Sequence, residues 1–166
     1  MSLKALALSV VAMLANTCLA SSQRVNIDSD SRSFVDKHGR EVIFHGVNVV
    51  YKVDPYIPSS GGFDAQNSLN DKDIEYLKNW GFNFVRLGVM WEAVERSEGV
   101  YDDSYLDKVD ELINKLGQAG IYTLVDAHQD VFARSICGEG MPDFYVKKLL
   151  AEDDYCIGPV ADWLLS

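Results

Sequence analysis

The sequence has 166 residues, of which 48% are hydrophobic and 24% charged, and its formal net charge is −10. The balance of 25 acids against 15 bases argues against nucleic acid and against adsorption to anionic membranes. The length suffices for one domain, whole or partial.

Met1-Ser2-Leu3-Lys4 carries one positive charge, residues 5–14 form an apolar run, and Cys18-Leu19-Ala20 ends in small residues. This pattern predicts a secretory signal peptide over residues 1–20, with residues 21–166 as the folded part. The apolar run is short for a membrane span. The expected location is secreted or extracellular, or the lumen of a secretory or digestive pathway. Cleavage after Ala20 removes Lys4 and Cys18 and leaves Cys137 and Cys156 as an even pair in an oxidising compartment. A disulfide between them would close a loop of about 20 residues and contribute roughly 3 kcal/mol. A metal site is the competing reading, weakened by the lack of a Cys-x-x-Cys or Cys/His cluster near either residue.

Residues 24–40 read as a short β-hairpin, with Asp36-Lys37-His38-Gly39 as turn composition. Residues 42–50 are strand-like, and 51–68, with Pro55, Pro58, Gly61 and Gly62, form a long loop. Asn70 or Ser68 can cap a helix through Trp80, with Ile74, Leu77 and Trp80 as its apolar stripe and Gly81 at its end. Residues 82–89 form a second strand and 90–100 a second loop. Ser104 or Asp103 caps a longer helix whose buried face is Leu106, Val109, Ile113 and Leu116. Residues 121–127 are a third strand, 130–142 a third loop, and 143–150 a short helix. The weakly patterned residues 156–166 could begin another helix.

This alternation implies parallel strands with crossover helices. Long loops after strands and short turns after helices fit a (β/α)8 barrel, whose site is built at the C-terminal strand ends. A doubly wound sheet lacks its Gly-x-Gly-x-x-Gly loop here. A barrel needs roughly 200 residues or more, so these about three βα units, preceded by the hairpin, are expected to be the N-terminal part of a longer α/β protein.

The polar residues at the strand ends are informative. Asn48, Arg86 and His128 each follow apolar or small residues on one face of their strands, and Asp126, His128 and Asp130 alternate onto one face. In a barrel Asn48, Arg86 and His128 would stand near one opening. Arg86 can orient a carboxylate. His128 can donate to a substrate hydroxyl or a carboxylate, and Lys52 and Asp130 can hydrogen-bond sugar hydroxyls. Trp91 could stack on a sugar or pack in a lid. Glu92, Glu95, Glu98 and Glu139 read as solvated or capping groups. A metal at Asp126, His128 and Asp130 is a minor alternative.

The segments 42–48, 81–91 and the strand ending in His128 resemble the (β/α)8 glycoside hydrolases that include family 5 cellulases. Asp126-Ala127-His128-Gln129-Asp130-Val131-Phe132, Cys137-Gly138-Glu139-Gly140-Met141-Pro142 and Gly46-Val47-Asn48-Val49-Val50-Tyr51-Lys52 are most similar to endoglycoceramidases. That resemblance implies a retaining glycoside hydrolase that cleaves between oligosaccharide and ceramide in glycosphingolipids, using two glutamates and no cofactor or metal. It implies that Arg86 orients the nucleophile, that His128 contacts the sugar at the cleavage point, and that Lys52 and Asp130 bind the headgroup. Asn48 is a further supporting residue by its place in the strand. The acid/base belongs to an Asn-Glu motif, and no Asn-Glu dipeptide occurs in these residues. Both glutamates are therefore expected beyond Ser166, and the 166-residue chain alone is expected to be inactive. The substrate is the implied partner, with room for transient contact with a membrane surface or lipid micelles. A related β-glucanase or cellulase of the same clan, or a non-catalytic secreted glycolipid-binding fragment, is the alternative.

Overall fold

The computed structural model describes residues 24–148. The signal segment, Cys156 and residues 156–166 lie outside the described residues.

β1 (Asn26–Ile27) pairs antiparallel with β2 (Phe34–Val35). The connecting turn is held by Asp28, whose side chain accepts from the backbone N–H of Asp30 and of Ser31. The expected turn at 36–39 comes one step later: Asp36 accepts from the N–H of His38 and Arg40 and leads the chain to a bridge between Val35 and Glu41.

The central sheet consists of β3 (Gly46–Val49), β4 (Phe84–Met90) and β7 (Tyr122–His128), parallel and in chain order. β3 is shorter than the strand expected over 42–50. Ahead of Gly46 the Asn83 amide substitutes for a regular ladder, accepting from the His45 N–H and donating to the Ile43 carbonyl. The first crossover is α1 (Asp71–Asn79), started by a capping box in which Asn70 accepts from the N–H of Asp73 and the Asp73 carboxylate accepts from the N–H of Asn70. The second is α3 (Asp103–Gln118), capped by Asp102, which accepts from the Tyr105 N–H, and not by Asp103 or Ser104.

The core lies between these helices and one face of the sheet, where Val85 and Leu87 meet Ile74, Leu77, Val109, Leu112 and Leu116. Two expected stripes need correction. Trp80 is exposed, stacked on Tyr76 outside the core, because α1 has ended before it. In α3 the buried row is Tyr105, Val109, Leu112 and Leu116, and Leu106 is exposed. The helix is rotated toward Tyr105, whose hydroxyl donates to the Tyr56 carbonyl and so can be buried at low cost.

The expected loop over 90–100 instead holds α2 (Trp91–Val94) and a ribbon of β5 (Glu95–Ser97) with β6 (Val100–Tyr101). Its anchor is the buried Glu95, which accepts from the Gly99 N–H, the Trp91 indole and the Tyr145 hydroxyl. After β7 come a single 3-10 turn (Arg134–Ile136) and α4 (Asp143–Lys147), which ends before the expected residue 150. The outer strand β7 leaves Leu124 and Val125 exposed, one on each face, so among the described residues the sheet is open and no barrel closes. No described helix is long and apolar enough to cross a membrane.

Candidate functional site

The sheet face turned away from the helices begins with an aromatic floor. Phe44 lies 4.7 Å from Phe84 and 5.6 Å from Tyr122, ring to ring, and Phe34 of the hairpin covers Phe44 at 5.1 Å. Toward the C-terminal strand ends the same face becomes charged. Arg86 Nη2 lies 2.6 Å from Asp126 Oδ2, and that oxygen is 2.9 Å from His128 Nδ1. A carboxylate only accepts, so the ring proton facing it is on Nδ1, while the buried Nε2 is turned toward the loop carboxylates.

Register explains this chain of contacts. Asn48 pairs with Arg86, Arg86 with Leu124, Gly88 with Asp126 and Met90 with His128. Asn48, Arg86 and His128 therefore share a face but not a height, which corrects the expectation of one ring at the opening. His128 stands two inward positions above Arg86, and the long guanidinium side chain bridges half of that step by reaching Asp126. Asn48 is exposed and stays outside this network.

The loops add a second cluster. Lys52 Nζ lies 3.1 Å from Asp130 Oδ2 and 2.7 Å from Glu139 Oε1. His128 Nε2 faces the same two carboxylates at 3.4 and 3.8 Å. Burial pulls the Lys52 ammonium toward lower pKa, but its bonds to Glu139 and Asp130 outweigh that and hold it above the ordinary lysine value. The bond from Lys52 holds Asp130 below the usual carboxylate range, against a smaller opposing effect of burial. Glu139 is delivered by the backbone: Asp130 and Glu139 exchange two N–H···O bonds of 3.1 and 2.8 Å. The flanking glycines make this possible, because a Cβ at Gly138 would lie 2.2 Å from the Asp130 carbonyl oxygen and one at Gly140 2.4 Å from that of His128.

A clamp holds the three strand-end loops together. Arg134 binds both oxygens of Glu92 at 2.8 and 3.0 Å and donates to the Lys52 carbonyl. Glu92 also accepts from the Tyr56 hydroxyl and the Gly140 N–H. So three of the four acids read as solvated or capping are enclosed, Glu92 by the clamp, Glu95 by the ribbon and Glu139 by Lys52, and of the four Glu98 is exposed. The reason is that each meets a donor from a different loop, and no periodicity reports such a meeting. Glycines on both sides of Glu139 were the one local signal for its burial. Trp91 donates to Glu95 and packs 5.2 Å from the Tyr145 ring, while 42% of it remains exposed. Cys137 closes the 3-10 turn in a left-handed conformation.

Among the described residues His128, Asp130 and Glu139 could hold a cation, with ligand atoms within 4.8 Å of one another. The Lys52 ammonium already lies against both carboxylates and supplies the positive charge that such an ion would bring. The arrangement suits a polyhydroxylated ligand: oriented donors on Lys52 and Arg86, acceptors on Asp130 and Asp126, and an imidazole between them.

Residues 35–155 match the family described as Cellulase (glycosyl hydrolase family 5). The chain is 40% identical over 122 residues to the endoglycoceramidase of Cyanea nozakii, a match covering 74% of this chain and 24% of that protein. It is 35% identical over 129 residues to the endoglycoceramidase of Hydra vulgaris, covering 78% and 25%. The chain thus spans about a quarter of the length of these relatives. Among solved structures, the lactosyl-enzyme intermediate of endo-glycoceramidase II from Rhodococcus sp. superposes with a TM-score of 0.58 at 25% identity, covering 75% of this chain and 28% of that one.

Proposed function

This chain belongs to the cellulase family of glycosyl hydrolases, family 5, and on that footing we propose that it forms three successive βα units of a (β/α)8 barrel that hydrolyses the bond between oligosaccharide and ceramide. The observation that carries this reading is the cluster of Lys52, Asp130 and His128 at the C-terminal ends of parallel strands, where barrel enzymes hold their substrates. Lys52 and Asp130 hold glycan hydroxyls. His128, oriented by Asp126, presents Nε2 to the sugar at the cleavage point. Arg86 steadies a carboxylate nucleophile with the donors that Asp126 leaves free, and Asn48 stands beside it on the neighbouring strand. The likeness to a lactosyl-enzyme intermediate supports a retaining route, which passes through a glycosyl-enzyme. On this reading the part of these residues is to bind and orient; the acid of an Asn-Glu motif is not among them, since the 166 residues contain no such dipeptide.

The reading includes a signal peptide over residues 1–20, secretion or passage into the lumen of the secretory or digestive pathway, and a Cys137–Cys156 disulfide. The disulfide-bonded state of Cys137 supports the last. The deciding assay gives the protein, joined to the remainder of its barrel, glycosphingolipid and β-glucan in parallel. Release of intact oligosaccharide from the lipid with glucan untouched is expected; turnover of glucan alone would move the chain to the β-glucanases. Glycolipid binding without release, even by the completed barrel, would make it a non-catalytic binder.

A further inference from the structure

Glu139 is fully enclosed, yet neither of its carboxylate oxygens receives a well-formed hydrogen bond. Burying a carboxylate in that condition is costly unless a cation lies against it. The cation is Lys52, 2.7 Å away, with His128 Nε2 more distant at 3.8 Å. The two come from different loops, which the Glu92–Arg134 clamp ties together. Glu139 is set by its backbone bridge to Asp130, and Lys52 by Arg134, which grips the Lys52 carbonyl and is itself held by Glu92. The ammonium therefore sits between Asp130, whose side chain is 49% exposed, and Glu139, whose side chain is 0% exposed. Solvent screens the first contact and not the second, so the buried acid exerts the stronger hold. An ammonium has three protons; one is donated to Asp130, Glu139 holds the charge as a close ion pair, and a donor remains for a ligand.

We propose that Glu139 is a positioning residue: it fixes the Lys52 ammonium at the cleft as an oriented donor to a glycan hydroxyl, and Asp130 shares the ligand more than it sets the lysine. This rests on the sugar-binding reading above. A flexible lysine pays side-chain entropy each time it binds, and a lysine held from behind has lost that freedom beforehand.

The test measures lactose affinity by calorimetry in the whole protein and its Glu139→Gln, Glu139→Asp, Lys52→Met and Lys52→Met/Glu139→Gln variants. The expected result is that Glu139→Gln weakens binding about tenfold, the worth of one charge-assisted hydrogen bond. Glu139→Asp should recover part of this, and the double variant should be no weaker than Lys52→Met alone. Wild-type affinity in Glu139→Gln, or an equal loss in the Lys52→Met background, would overturn the proposal and leave the functional reading intact. If the wild-type protein binds no lactose, the sugar reading is what fails. The positioning claim is then decided by titrating isotope-labelled methyl groups on the lysines, with Lys52→Met identifying the signal. A midpoint for Lys52 that falls in Glu139→Gln supports it, and an unmoved midpoint overturns it.

Discussion

One oxygen of Asp126 serves two partners, Arg86 and His128. Asp126→Asn keeps the shape and removes the charge, leaving Arg86 unneutralised and His128 without a pure acceptor. The expected cost is about 1–3 kcal/mol in urea unfolding, together with loss of the Nδ1-protonated tautomer in nitrogen NMR of the ring. An unchanged tautomer would show that Asp126 does not orient the ring. The Lys52–Asp130 contact makes a prediction in pH. Asp130 is held below its ordinary value of 3.8, so its contribution to stability is present above that value and is lost as pH falls through the lowered one. Lys52 is raised, so its contribution is present below the ordinary lysine value and is lost as pH climbs through the raised one. The difference in unfolding midpoint between wild type and Asp130→Asn should therefore be flat at neutral pH and shrink in strong acid. A difference that stays constant into acid would count against the pairing. The placement of Arg86 and His128 was legible in the sequence because both are inward positions of predicted strands, and Asp130 is the next inward step after His128; Lys52, in a loop, was singled out by its chemistry and by resemblance. The placement of Glu139, Glu92 and Arg134 was not legible, because their partners are other loops.

At the scale of elements, α1 depends on its cap. Asn70→Ala removes the acceptor of the Lys72 and Asp73 N–H groups, at an expected cost of about 1 kcal/mol seen as a lowered unfolding midpoint. The loop from 130 to 140 depends on Gly140, at φ +112, where added bulk would strike the His128 carbonyl. Gly140→Ala should cost about 1–3 kcal/mol and expose the amide of Glu139 to hydrogen exchange; protection equal to wild type would refute that account. The β5–β6 ribbon rests on Glu95, whose bond from the Gly99 N–H keeps it below the usual glutamate range. The two crossover helices α1 and α3 and two of the parallel strands were readable from periodicity to within a residue or two. The ribbon was not, because it is held by a single buried acid and has no apolar pattern.

At the scale of the whole molecule, the sheet among the described residues ends at β7 with apolar side chains exposed on both faces. On the proposed reading, the 166-residue chain on its own is expected to release no oligosaccharide from glycosphingolipid, since it contains no Asn-Glu dipeptide. A glycan-release assay showing turnover by that chain would overturn this assignment of roles. The exposed strand should also make the chain bind an apolar dye more strongly than a completed barrel does.

The sequence by itself determined the alternation of strands and helices, the parallel order and the polar strand ends, because side-chain period and strand-end chemistry are local properties. Only the tertiary structure decided which height each polar residue occupies and which acids are buried. Register sets the height, and it is a relation between strands. Burial of an acid requires a donor or cation brought from a segment distant in sequence: Lys52 to Glu139, Arg134 to Glu92 and Tyr145 to Glu95.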